Sequence, residues 1–126
     1  MGTLDNALYF DNSRIMEVNQ AEKALGALAQ ERRLRVFRLL VRAGLEGLAA
    51  GDIAQQLAVP ANTMSTHLAV LSRAGLIVSR KEGRSVIYAV DLEGTRKLLS
   101  FLVEDCCRGK PEICRPLIAS ALARCC

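Results

Sequence analysis

The stretch Asp52-Ile53-Ala54-Gln55-Gln56-Leu57-Ala58-Val59-Pro60-Ala61-Asn62-Thr63-Met64-Ser65-Thr66-His67-Leu68 decides how this chain is read. Val59-Pro60 interrupts a helical run, because proline disfavours a helical residue before it. The spacing predicts a short helix over about Ala50–Leu57, a turn holding Ala58, and a longer helix from about Asn62 to Ala74 that Gly75 ends. Small Ala54 lets the two helices approach, and Ile53, Met64, Leu68 and Leu71 are the expected buried positions. On a helical wheel Met64, Leu68 and Leu71 share one face; Asn62, Thr66, Ala69 and Arg73 lie opposite, with Thr63, Ser65 and Ser72 on the flanks. This is the pattern of a helix-turn-helix. Hydroxyls and amides on a small outer face reach base edges and phosphates without steric blockage. A merely solvated helix face has the same composition, so the wheel alone does not choose between them.

Working outward, the period changes after Gly75 from helical to two. Ile77-Val78-Ser79-Arg80-Lys81 reads as a strand, Glu82-Gly83-Arg84 as a turn and Ser85-Val86-Ile87-Tyr88-Ala89-Val90 as the returning strand. Arg80, Lys81 and Arg84 crowd the tip, which predicts a basic wing against a phosphate backbone. Basic tips also protect sheet edges, but a helix-turn-helix followed directly by such a hairpin is uncommon by chance. Upstream, Ala21, Ala24, Leu25 and Leu28 mark a helix from Val18 to about Ala29. A second runs over Glu31–Ala43 with Leu34, Phe37, Leu40 and Val41 as its stripe, Arg32, Arg33, Arg35, Arg38 and Arg42 around it, and Gly44 as its stop. Leu45–Leu48 reads as a loop. Downstream, Asp91 is a good N-cap for a final helix whose apolar side is Leu92, Leu98, Leu99, Leu102, Val103 and Cys106, ended by Gly109 and Pro111. The tail from Glu112 is expected to hold one or two helical turns around Leu117–Leu122. The fold class is therefore mainly α with a β-hairpin wing, a winged helix-turn-helix of order α-α-α-α-β-β-α. Residues 1–15 read as an expression leader or unstructured N-terminus, 16–108 as the domain, and 109–126 as a cysteine-containing tail.

A chain of 126 residues is one domain's worth, and 51% of it is apolar, with no Trp, two Tyr and three Phe. Such a core is small enough that a partner is expected to complete it. Seventeen Lys+Arg against thirteen Asp+Glu leave a charge of +4, which admits a polyanion partner. No run of eighteen apolar residues exists and the N-terminus lacks a signal-peptide pattern, so no membrane partner and a cytoplasmic location are expected. Disulfides are rare in that compartment, yet all five cysteines, Cys106, Cys107, Cys114, Cys125 and Cys126, lie in the last 21 residues. Such a cluster reads as metal-binding or redox-active. His67, the single histidine, is expected to serve a structural hydrogen bond, since a His-rich zinc site has no material here. There is no Ser/His/Asp set, phosphate loop or paired acidic site, so an enzyme is not expected, nor a permanent cofactor.

From about Ala24 to Val90 the chain resembles the ArsR family of metal- and metalloid-responsive bacterial repressors. The resemblance rests on Leu25-Gly26-Ala27-Leu28-Ala29-Gln30-Glu31-Arg32-Arg33-Leu34-Arg35-Val36-Phe37-Arg38-Leu39-Leu40, on Ser65-Thr66-His67-Leu68-Ala69-Val70-Leu71-Ser72-Arg73-Ala74-Gly75-Leu76-Ile77, and on the Glu82-Gly83-Arg84 wing. It implies a homodimer joined by the first and last helices that binds double-stranded operator DNA, represses its own operon and leaves DNA when inducer binds. Family members differ in where they sense. The founding arsenic sensors carry Cys-x-Cys on the helix before the recognition helix, but Leu48–Leu57 has no Cys. Zinc sensors carry Asp and His along the final helix, but Asp91–Asp105 has no His. Cys106, Cys107 and Cys114 resemble instead the arsenite sensors whose three thiolates follow the last helix.

Trivalent arsenic and antimony are thiophilic and keep a lone pair, so three sulfurs in a pyramid suit them, whereas zinc prefers four ligands in a tetrahedron. Cu(I) is a further soft candidate. Adjacent helical residues point about 100° apart, so Cys106 and Cys107 converge only if the helix frays, as Gly109 and Pro111 favour. Cys106 alone also fits as a buried hydrophobe continuing the Leu99–Val103 stripe. Cys125-Cys126 is a possible second site, a relay, a redox pair or part of a disordered tail. Two rivals stand beside a metalloid-released repressor: a repressor whose thiols sense oxidants, and, in another class, a metalloid or metal carrier.

Overall fold

The structure, a computed structural model, describes residues 16–103 and 111–125. Two helices open it, α1 (Val18–Leu28) and α2 (Glu31–Ala43). At the corner between them the Gln30 side chain accepts the Arg33 N–H at 2.9 Å, capping α2, while Arg33 Nε donates to Ala27 O at 2.7 Å. A 3-10 turn (Gly44–Glu46) and a two-residue strand β1 (Leu48–Ala49) lead into α3 (Ala50–Leu57) and α4 (Ala61–Arg73). The hairpin is β2 (Ile77–Glu82) and β3 (Ser85–Val90), and α5 (Leu92–Val103) follows it. The winged helix-turn-helix expected from the sequence is the fold observed.

Three features differ from expectation. Leu48, expected at the end of a loop, instead joins Ala49 in a strand pairing antiparallel with Tyr88 and Ile87, making a sheet of order β1-β3-β2. Two residues are too few for a period-two signal to show. The longer helix of the motif begins at Ala61, with Pro60 as its N-cap, and ends at Arg73. The tail holds a full helix, α6 (Pro111–Cys125), in place of one or two turns. Proline at the first helical position, Glu112 in the first turn and Ala119, Ala121 and Ala123 favour it, against the interior Pro116, which removes one backbone donor.

The hairpin pairs Ile77 with Val90 through to Glu82 with Ser85. Its loop is two residues, Gly83-Arg84, and Gly83 takes φ +63° as the first position of a type II′ turn requires. The core gathers Val36, Leu40, Ile53, Met64, Leu68, Leu71, Leu76 and Ile77, all essentially inaccessible to solvent. Each such side chain contributes on the order of 2 kcal/mol of burial free energy. Ile53, Met64, Leu68 and Leu71 are where the sequence put them.

The helix stripes are partly elsewhere. On α2 the buried residues are Val36 and Leu40, while Leu34 is 44% and Val41 50% exposed. On α1 they are Ala21, Ala24 and Ala27, with Leu25 exposed and Leu28 half-buried. On α5 only Leu98 is fully buried, and Leu92, Leu99 and Leu102 face out. Val18, Leu25 and Phe101 border a shared apolar groove of about 410 Å³ between α1 and α5. Among the described residues no helix is long and apolar enough to cross a membrane. The expected leader, residues 1–15, and the expected continuation of the final helix to Cys106 lie outside the described residues.

Candidate nucleic-acid interface

The sharp turn between α3 and α4 rests on Ala58, which adopts φ 55°, ψ 46°. Its N–H donates to Gln55 O at 3.2 Å and that of Val59 to Ala54 O at 3.0 Å, closing α3. Val59 is buried and Pro60 starts α4. The two helices are thereby fixed with Met64, Leu68 and Leu71 inward, and the opposite side of α4 necessarily faces out.

On that side Asn62, Ser65, Thr66 and Arg73 are exposed and Thr63 is half-buried. Asn62 Oδ1 accepts the Thr63 N–H at 2.8 Å. Ser65 Oγ donates to Ala61 O at 3.1 Å, and Thr66 Oγ1 to Asn62 O at 3.3 Å. With their protons turned back to the helix, both hydroxyls present lone pairs outward, able to accept from the amino groups of cytosine or adenine. All five predicted helix positions therefore lie on one helix with access to a groove.

The wing is divided. Lys81 and Arg84 are exposed at its tip. Arg80, expected among the phosphate contacts, is turned the other way: Nε pairs with Glu82 Oε2 at 2.7 Å, and NH2 and NH1 donate to Glu46 O at 2.7 Å and Leu45 O at 3.4 Å. Its guanidinium clamps β2 to the 3-10 turn. The sequence hid this because both anchoring partners on the turn are backbone carbonyls.

His67 lies on the inner side of α4, buried, and among the described residues its Nδ1 has no hydrogen-bond partner. The structural hydrogen bond expected of it is not seen at that nitrogen. Burial first, then the charges of Arg33 and Arg32, hold its pKa below 6.5, so the ring is neutral at pH 7.

Of the thiols, Cys114 sits in the second turn of α6, half-buried and disulfide-bonded, and Cys125 is the last residue of that helix. Cys106, Cys107 and Cys126 lie outside the described residues. Among the described residues no group of three or more His, Cys, Asp or Glu is placed to hold a metal ion.

A buried helix-turn-helix hinge, an outward polar helix and a hairpin with exposed cations define a winged helix-turn-helix DNA-binding domain. The helix-turn-helix domain family matches residues 28–80. The transcriptional activator HlyU of Vibrio cholerae is 32% identical over 93 residues, covering 72% of this chain and 83% of that protein. The chain belongs to the winged helix-turn-helix transcriptional regulators of ArsR type, a family of regulators rather than enzymes. A solved structure of that HlyU is similar at 34% identity and TM-score 0.55, covering 69% of this chain and 97% of that one. A homodimeric winged helix-turn-helix domain from Mycobacterium bovis, a possible ArsR-family regulator, is 26% identical with TM-score 0.56, covering 70% and 82%. A possible transcriptional regulator for arsenical resistance is 29% identical with TM-score 0.57, covering 64% and 80%.

Proposed function

We propose that this chain is a cytoplasmic, metalloid-responsive repressor that binds operator DNA as a homodimer and is released when As(III) or Sb(III) binds the thiolates of Cys106, Cys107 and Cys114. The DNA half draws support from the outward Asn62-Thr63-Ser65-Thr66-Arg73 face and from Lys81 and Arg84 on the wing. The dimer draws support from the exposed leucines of α1 and α5 and from the homodimeric relative. The observation that carries the sensing half is the disulfide at Cys114, because it means a second sulfur reaches this one. Three converging thiolates suit a trivalent metalloid, and the similarity to a regulator for arsenical resistance points the same way. Cys125 and Cys126 are a candidate second thiol pair.

The test starts from fully reduced protein on its operator, challenged in parallel with As(III), Sb(III), Zn(II), Cd(II) and peroxide. Release by As(III) or Sb(III) at low micromolar levels, lost in Cys107→Ser with operator affinity intact, is expected. Undiminished release of that variant rules out the trio.

The same disulfide favours a second reading, a thiol redox switch. Two thiols would lose two electrons and two protons to peroxide, forming one S–S bond and two waters. Release by peroxide, reversed by dithiothreitol, with no response to As(III), selects this reading over the first.

A further inference from the structure

The helix that precedes the candidate sensor cysteines in sequence is locked at its start to α4. Gly75 closes α4 at φ +79°, its N–H donating to Ser72 O at 3.1 Å and that of Leu76 to Leu71 O at 3.1 Å. The Gly75 carbonyl then lies against the first turn of α5. A Cβ at Gly94 would stand 1.8 Å from Gly75 O and 3.0 Å from its carbonyl carbon, so only glycine fits without a shift of backbone. Three hydrogen bonds hold the register. Asp91 N–H donates to Leu76 O at 2.9 Å, Gly94 N–H to Asp91 Oδ1 at 2.9 Å, and Thr95 Oγ1 to Asp91 O at 2.8 Å. Leu76 and Ile77, directly after the contact, are buried and give this side of the joint no slack.

We infer that the Gly75–Gly94 contact is the joint through which events at the cysteine end of α5 reach α4, and that Gly94 is a positioning residue for DNA recognition. The twelve residues of α5 span about 18 Å. A displacement of about 3 Å at the far end, the scale of gathering thiols around one atom, tilts the helix about 10° around its fixed end. The thirteen residues of α4 span about 20 Å from the joint to the N-terminus that carries Asn62 and Thr63. The same rotation carries those side chains about 3 Å, which is enough to break hydrogen bonds made at about 2.9 Å. Without a tight joint the tilt would be absorbed in the link between the helices.

This inference rests on the cysteine-sensing reading, and its experiment separates the two. Native and Gly94→Ala dimers, each checked for helix content and dimer mass, are compared in three measurements. As(III) binding is read from thiolate-to-arsenic absorption, and operator affinity by anisotropy with and without As(III). The variant is expected to bind As(III) as the native chain does, to hold operator about tenfold more weakly, and to show an arsenite-dependent loss of affinity cut to a third or less of the native factor. Asp91→Ala, which removes the bond to Gly94 N–H but leaves the space, is expected to fall between, and decides the matter if Gly94→Ala does not fold. A native chain that keeps its operator with As(III) bound refutes the inducer reading. The joint is then judged on operator affinity, and a folded Gly94→Ala chain with native affinity overturns it. So does a variant with the native release factor.

Discussion

Replacing Arg80 with alanine separates two roles that the sequence confuses. As a phosphate contact, Arg80 would contribute to the salt dependence of operator binding; as a clamp, it contributes to the stability of the wing. In the proposed dimer each residue occurs twice, and each lost phosphate contact lowers the slope of log affinity against log salt by about 0.9. Lys81→Ala is therefore expected to flatten that slope by about 1.8, and Arg84→Ala similarly. Arg80→Ala is expected to leave it within about 0.5 of native, because its guanidinium already faces Glu46 O, Leu45 O and Glu82. The energetic effect lies in the fold. The pair with Glu82 is 44% and 56% exposed and is worth little. The 2.7 Å bond to Glu46 O is the substantial one, at about 1 kcal/mol, and the 3.4 Å bond adds little. Thermal unfolding of Arg80→Ala should fall by about 4 °C, and that of Lys81→Ala hardly at all. Anisotropy titrations at four salt concentrations and a melting curve measure both quantities. An Arg80→Ala slope as flat as that of Lys81→Ala, with an unchanged melting temperature, would refute the clamp.

The buried imidazole of His67 makes stability depend on pH with a defined sign. Its native pKa is lowered from 6.5, by burial and then by Arg33 and Arg32, so the unfolded chain takes up the proton first. Its stability is complete above pH 6.5 and is lost as pH falls from there through the native value. Urea midpoints taken between about pH 7.5 and about 5 should drop more for the native chain than for His67→Leu, and parallel drops would show that His67 is not the group responsible. At the α1–α5 face, Leu99→Glu is expected to give monomers in sedimentation velocity. Operator affinity should fall by about 10²–10⁴ as the two half-sites lose their linkage. Dimers persisting in that variant at micromolar concentration would move the interface elsewhere.

What the sequence left open follows from how helices bury their faces. α2 carries two apolar stripes, one through Val36 and Leu40 and one through Leu34 and Val41, about 130° apart on the wheel. Periodicity marks both and cannot say which meets the core; packing against α4 and β3 selects the first. On α5 Leu98 is buried while Leu92, Leu99 and Leu102 are exposed, although Leu102 lies only about 40° from Leu98 on the wheel. In the proposed dimer the outer row would be covered, and a leucine buried between subunits leaves the same trace in sequence as one buried in the domain. The motif itself was legible because α4 has a single apolar face, Met64, Leu68 and Leu71, and its complement had to be outward.

The parts of the site that were illegible share one cause: their partners are backbone atoms. Arg80 reads as a wing cation because the carbonyls of Leu45 and Glu46 have no letter in the sequence. Gly94 carries no signal of its own in the sequence, since glycine is merely a poor helix former, costing up to about 1 kcal/mol relative to alanine in a helix interior. That cost makes it informative once Gly75 O is seen beneath it. A helix gains nothing from glycine unless something must approach its axis, and here the approaching group is the end of α4. The local weakness is repaid by rigidity between two helices, and a rigid connection is what a sensor at one end of α5 needs if its small displacement is to be felt in a DNA groove. With alanine at 94 the added Cβ would force α5 and the end of α4 apart, and on the proposed reading a ligand bound beyond α5 would then move α4 less.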